Sequence, residues 1–198
     1  SEANIETDLF EGLVTYGPKS ETVPGVAERW EVSPDGLVYT FYLRSNAKWS
    51  NGDPVTAKDF VYSLTRLVNP ATAAENAWVL DPILNAEQIR KGEEKDFSKL
   101  GVKALDARIL QITLKTSTPY FLSLLKHHAT LPVHQATIEK FGDKWTRPGN
   151  SVSNGAYSIS EWIPQSRIVL KKNPHFHATD TVKINTVYYY PTESQVEE

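Results

Sequence analysis

The chain has 198 residues, of which 40% are hydrophobic, 23% charged and 11% aromatic, a globular composition that excludes disordered, collagen-like and coiled-coil chains. Lys plus Arg number 21 against 24 Asp plus Glu, a formal net charge of −3 that argues against nucleic acid as a partner, and the absence of cysteine removes disulfides, thiolate metal sites and cysteine nucleophiles. A chain of this length buries roughly 70% of its unfolded surface, enough for one or two cores without a metal.

The elements follow from local pattern. Asp8 to Val14 reads as a short helix ending near Gly12, followed by a polar loop through Gly17, Pro18 and Pro24. Ala27 to Arg44 alternates β-branched and aromatic residues around the turn Ser33-Pro34-Asp35-Gly36, which predicts a β-hairpin. Ser50 to Pro54 is a second turn. Thr56 with Asp59 three residues on predicts a helix start close to a capping box. Phe60, Val61, Leu64, Leu67 and Val68 then form one apolar stripe up to Asn69-Pro70, with Asp59, Ser63 and Arg66 expected to face water.

Ala71 to Leu84 carries no clear period. A short helix is expected from Ala86 to Lys91, before a solvated charge cluster at Glu93 to Asp96. Val102 to Leu114 predicts a second hairpin turning at Asp106-Ala107-Arg108. Pro119 suits the first turn of a helix holding Tyr120, Phe121, Leu124 and Leu125. Another helix is expected over Gln135 to Phe141, then an open loop at Pro148 to Ser151. Ala156 to Trp162 with Arg167 to Leu170 reads as a third hairpin, and Ile184 to Tyr190 as a further strand, with a polar tail from Thr192 to Glu198 and no closing element. Mainly antiparallel strands with packed helices make this an α+β chain.

Glycine-rich phosphate loops, dinucleotide fingerprints, the Gly-x-Ser-x-Gly elbow and the His-Glu-x-x-His helix are all missing. Among five histidines, His175 and His177 have the i, i+2 spacing of a zinc or nickel pair; the alternative is a loop with exposed rings after Asn173-Pro174. His127 and His128 follow an apolar helix, where they would complement its dipole. Most aromatic residues are expected in the core. Trp78, after the polar Glu75-Asn76, is a candidate cleft wall. No apolar stretch approaches the roughly 20 residues that span a bilayer. Without methionine, at position 1 or elsewhere, the chain reads as a processed or excised product.

Three runs are more specific than any of these patterns: Pro24-Gly25-Val26-Ala27-Glu28-Arg29-Trp30; Ser33-Pro34-Asp35-Gly36 with its following strand; and Trp49-Ser50-Asn51-Gly52-Asp53-Pro54-Val55-Thr56-Ala57-Lys58-Asp59-Phe60. Together with Gly101 to Asp106, Pro119-Tyr120-Phe121, Glu139 to Trp145, Asn154-Gly155-Ala156-Tyr157 and Asn173-Pro174, they resemble the extracellular solute-binding proteins of the peptide, dipeptide and nickel class. Within that class the likeness is greatest to the oligopeptide binders of Gram-negative bacteria, from Asp8 to about Val196.

The resemblance implies an N-terminal fragment of a two-lobed periplasmic binding protein. Residues 1–10 and 135–198 would belong to a partial first lobe, and 11–134 to the extra domain of peptide-binding members. It implies a non-enzymatic receptor, expected to be monomeric and without a cofactor, that delivers oligopeptides to the membrane permease of an ABC importer, with peptide binding lost where the second lobe is missing. The signature runs would be scaffold. His127 matches a cleft-lining position, Asn76 stands where an aromatic residue is expected, and with Trp78 these are the candidate ligand-binding residues. A different ligand (dipeptide, murein peptide, haem or nickel), a histidine metal site, and self-association through an apolar surface are the rival readings.

Overall fold

A computed structural model describes residues 2–191; the polar tail expected from Thr192 onward lies outside them. The chain opens with helix α1 (Glu2–Leu9) and a small antiparallel hairpin, β1 (Val14–Tyr16) and β2 (Thr22–Pro24). The hairpin β3 (Ala27–Val32) and β4 (Val38–Leu43) follows, turning as expected where Gly36 adopts φ 73°, a conformation that favours glycine. Helix α2 (Ala57–Val68) starts at Thr56 with the capping box to Asp59 in place, and Asn69 ends it before Pro70. After α3 (Ala86–Arg90), strands β5 (Val102–Asp106) and β6 (Ile109–Thr113) form the second expected hairpin. Helices α4 (Phe121–Leu124) and α5 (Gln135–Phe141) precede a meander of β7 (Tyr157–Ile163), β8 (Arg167–Lys172) and β9 (Thr186–Tyr189).

The strands make three antiparallel sheets, in the orders β1-β2, β3-β4-β6-β5 and β7-β8-β9. The four-stranded sheet buries alternate residues, Tyr39, Phe41 and Leu43 on β4 and Leu110 and Ile112 on β6. Period-two alternation puts them all on one face, and that face forms one core with Phe60, Leu64, Leu67 and Val68 of α2, closed by Trp49 and Phe121. A second, smaller core joins Leu9 to Tyr157 and Leu170, with Ile5, Ile159 and Val187 packed around them. Among the described residues no helix is long and apolar enough to cross a membrane.

Three expectations are corrected by tertiary contacts. The helix expected over Asp8 to Val14 lies earlier, at Glu2–Leu9, because Ile5 and Leu9, four residues apart, face the second core. Val14 to Tyr16 is then a strand, because the turn at Gly17 to Ser20 folds β2 back on it; the Gly17 N–H donates to the Glu21 carbonyl at 2.8 Å. Ser63, expected in water, is buried: its Oγ donates to the Asp59 carbonyl (2.7 Å) and accepts from the Val133 N–H (2.8 Å), since the segment entering α5 covers that side of α2. Asp59 is also half-buried, its Oδ2 accepting from the Trp49 indole N–H at 3.1 Å.

Candidate functional site

The pairing of β1 leaves it with one open edge. Gly17 donates to Glu21 and Gly25 donates to the Leu13 carbonyl, so in this register the hydrogen-bonded pairs are 13–25, 15–23 and 17–21. Antiparallel pairs alternate between bonded and non-bonded. Val14 and Tyr16 therefore direct their backbone N–H and C=O groups away from β2. That edge borders a cavity of about 450 Å³, whose walls include Thr7, Phe10, Tyr16, Lys126, His127 and Phe176.

The approach to β1 is held from the other core. Glu11 donates its backbone N–H to Asn154 Oδ1 (3.0 Å) and accepts from Asn154 Nδ2 at its carbonyl (2.9 Å), with Asn154 buried. The Glu11 carboxylate meets His177 Nε2 at 2.6 Å. A Cβ on Gly25 would stand 2.5 Å from the Gly12 carbonyl oxygen, so only glycine allows β2 this close to the start of β1. Sequence separations of 143 and 166 residues explain why neither clamp was visible in local pattern.

The opposite wall is basic and aromatic. Lys126 Nζ sits 4.5 Å from the Tyr16 ring centroid and donates to the Ser20 carbonyl at 3.1 Å. The rings of His127 and His128 stack at 4.4 Å, and His128 Nδ1 meets Glu6 Oε2 at 2.7 Å. Burial pushes the His127 pKa below its usual value, and the neighbouring His128 adds to the shift. His127 Nδ1 accepts from the Ala129 N–H at 3.1 Å and caps the turn that follows. Its role is thus that of a hydrogen-bond acceptor, not the cation expected at the end of α4.

Of the predicted ligand residues, His127 lines this cavity. Trp78 is 54% exposed and lies edge-on to His127 at 6.5 Å, but it lines a separate hollow of about 320 Å³ with Pro82, Lys115 and Tyr120. Asn76 lines neither hollow; its carbonyl accepts from the Val79 N–H at 3.1 Å and starts a short turn. Among the described residues no three His, Asp or Glu side chains converge as a metal-ligand group. His177, expected as an exposed ring or a metal ligand, is instead 11% exposed and engaged with Glu11. The residues missed, Val14, Tyr16 and Asn154, had one usable signal: Val14-Thr15-Tyr16 and Thr22-Val23 flank a Gly-Pro-Lys-Ser turn.

An unpaired strand edge thus borders a cavity lined by residues of both cores. The family description "Bacterial extracellular solute-binding proteins, family 5 Middle" matches residues 21–197, and the chain belongs to that family. It is 48% identical over 197 residues to the periplasmic oligopeptide-binding protein OppA of Escherichia coli, covering 98% of this chain and 36% of that protein. The structure of the E. coli murein tripeptide binding protein MppA superposes with a TM-score of 0.92 at 43% identity, over 96% of this chain and 37% of that one. Haemophilus influenzae OppA, solved in complex with RPPGFSPFR, superposes with the same score at 41% identity, again over 96% and 37%. The chain thus spans about a third of the length of the relatives it matches.

Proposed function

We propose that this chain forms one side of a two-lobed periplasmic receptor that captures extended oligopeptides and passes them to the membrane permease of an ABC importer, with no covalent step. The observation that carries the reading is the outward-facing backbone of Val14 and Tyr16 beside the cavity. An extended peptide can add there as a third strand; main-chain hydrogen bonds then supply affinity while side chains are left to roomy pockets, which suits a receptor of broad sequence tolerance. Its likeness to the periplasmic oligopeptide-binding protein OppA, to OppA in complex with RPPGFSPFR and to the murein tripeptide binding protein MppA supports a peptide ligand and a periplasmic setting.

The two cores support a division into a lobe made of residues 1–10 and 135–198 and an extra domain made of 11–134. His127 is assigned to the ligand wall, with Trp78 behind it; Asn76 would act only through the position of Trp78. The chain spans about a third of the length of its relatives, and peptide binding by this chain alone is expected to be lost.

The test is calorimetric titration of the protein at the full length of its relatives with tri- to pentapeptides. Peptides N-methylated at alternate residues should bind about tenfold or more weakly, because each blocked N–H removes a strand-pairing bond. Val14→Pro, which deletes an outward N–H without touching the β2 ladder, should do the same. Equal affinity for methylated and unmethylated peptides would overturn backbone capture. Preference for a murein tripeptide over all-L peptides would redirect the ligand assignment.

A further inference from the structure

One cation in the wall of the β1 cavity is fixed in place by the fold and left without a counterion. Lys126 is half-buried and its Nζ is held twice, over the Tyr16 ring at 4.5 Å and by the Ser20 carbonyl at 3.1 Å. Most lysines of the chain also lack an ion-pair partner among the described residues; what sets Lys126 apart is that it lines the cavity beside the open strand edge. The carboxylates around it are already engaged. Glu11 meets His177 at 2.6 Å, Glu6 meets His128 at 2.7 Å, and Glu21, next to Ser20, accepts from the Lys19 N–H at 2.7 Å.

An ammonium has three donors and no acceptor, so with one given to Ser20 and the charge resting on an aromatic face, at least one donor remains. The neighbouring His127 accepts at Nδ1 from the Ala129 N–H, which puts its proton on Nε2. Burial and the adjacent His128 lower its pKa, so the ring is uncharged near neutral pH. The wall therefore presents a neutral donor and one cation, and the cation is Lys126.

Position along the edge follows from strand geometry. Directly opposed residues of paired strands point their side chains to the same face, and residues next in sequence point to the other. On a strand added to β1, the residue beside Tyr16 would thus run its side chain along the Tyr16 ring toward Lys126. We propose that Lys126 makes this receptor select peptides carrying Asp or Glu at the one position that pairs beside Tyr16. The proposal rests on the backbone capture by β1 put forward above, and adds to it a charge requirement at a single ligand residue.

The test is calorimetric titration of the protein at the full length of its relatives with penta-alanine and with peptides in which Glu, Gln or Lys replaces each alanine in turn. At one position Glu should bind about tenfold more tightly than Gln, and Lys more weakly than either, with the difference shrinking at high salt. Lys126→Gln should equalise Glu and Gln there, Lys126→Arg should keep the preference, and Lys126→Glu should turn it toward Lys. Circular dichroism and a thermal melt show whether each variant folds; the salt dependence in the parent protein serves if Lys126→Gln does not. Binding of penta-alanine with Glu and Gln equal at every position overturns this proposal alone. Absence of binding by every peptide overturns the backbone capture as well. Should the loss in Lys126→Gln follow a free C-terminus and vanish with amidated peptides, Lys126 reads the terminal carboxylate and the side-chain selection falls.

Discussion

Glu11 Oε1 and His177 Nε2 lie 2.6 Å apart, with side chains only 14% and 11% exposed, and join the segment entering β1 to the loop leaving β8. Asn154 grips the backbone of the same Glu11 from the entrance to β7. The open edge of β1 therefore belongs to neither core alone: β2 fixes its inner side within the larger one, and Asn154 and His177 fix its start against the smaller one. Several substitutions measure how much each fastening contributes.

Replacing Asn154 with Ala removes both bonds to Glu11 and leaves its half-buried amide and carbonyl without those partners. Each such group costs about 1–3 kcal/mol, so urea denaturation should show the protein destabilised by about 2–4 kcal/mol. Asn154→Asp keeps the acceptor but loses the donor, and should fall between.

The Tyr189 hydroxyl donates to Asp8 Oδ2 at 2.6 Å, tying β9 to α1. Burial, and then the bond to Asp8, push the Tyr189 pKa up to about 12. The unfolded chain gives up this proton near pH 10 and the folded one later, so this contribution is complete below about pH 10 and lost as pH rises toward 12. Tyr189→Phe should cost about 1 kcal/mol at neutral pH and flatten the alkaline limb in thermal melts recorded between pH 9 and 11.

His127 has the opposite sense. Its pKa is lowered in the fold, so below about pH 6.5 the unfolded chain takes up a proton first and stability falls with falling pH. Denaturation midpoints at pH 7.5 and 5.5 should differ less in His127→Gln than in the parent protein.

Asp59 Oδ2 accepts from the Thr56 N–H at 2.8 Å as well as from the Trp49 indole. Asp59→Ala removes the reciprocal half of the capping box and strands a buried indole donor, and a loss of about 2–3 kcal/mol is expected in thermal unfolding. A loss under about 0.5 kcal/mol would show that water replaces the carboxylate.

Gly25→Ala places a methyl group 2.5 Å from the Gly12 oxygen and 3.1 Å from that of Leu13. Both contacts are backbone, so β2 must move away from β1. Lower stability and, in the full-length protein, weaker peptide binding are expected together; a peptide affinity unchanged in a destabilised variant would separate the β1 edge from the ligand.

Much of the fold was legible because its elements are defined by near neighbours. The alternation around Ser33-Pro34-Asp35-Gly36 specifies a hairpin whatever packs on it, Thr56 and Asp59 specify where α2 begins, and Asn69-Pro70 where it stops. The runs around these same residues also carry the family signature, because turn and cap positions restrict residue type most strongly.

What tertiary structure decided is the site. Residues 8–14 are too short and too mixed to choose between helix and strand by themselves, and it is Leu9 packing on Leu170, the turn at Gly17, and Asn154 from 143 positions away that leave Val14 and Tyr16 as an open edge. Ser63 and His177 were read as water-facing for the same reason: the groups that bury them, Val133 and Glu11, lie 70 and 166 positions distant. Periodicity reports which face of an element is apolar, but a polar side chain is buried by whichever distant group satisfies its hydrogen bond, and only the folded chain brings that group within reach.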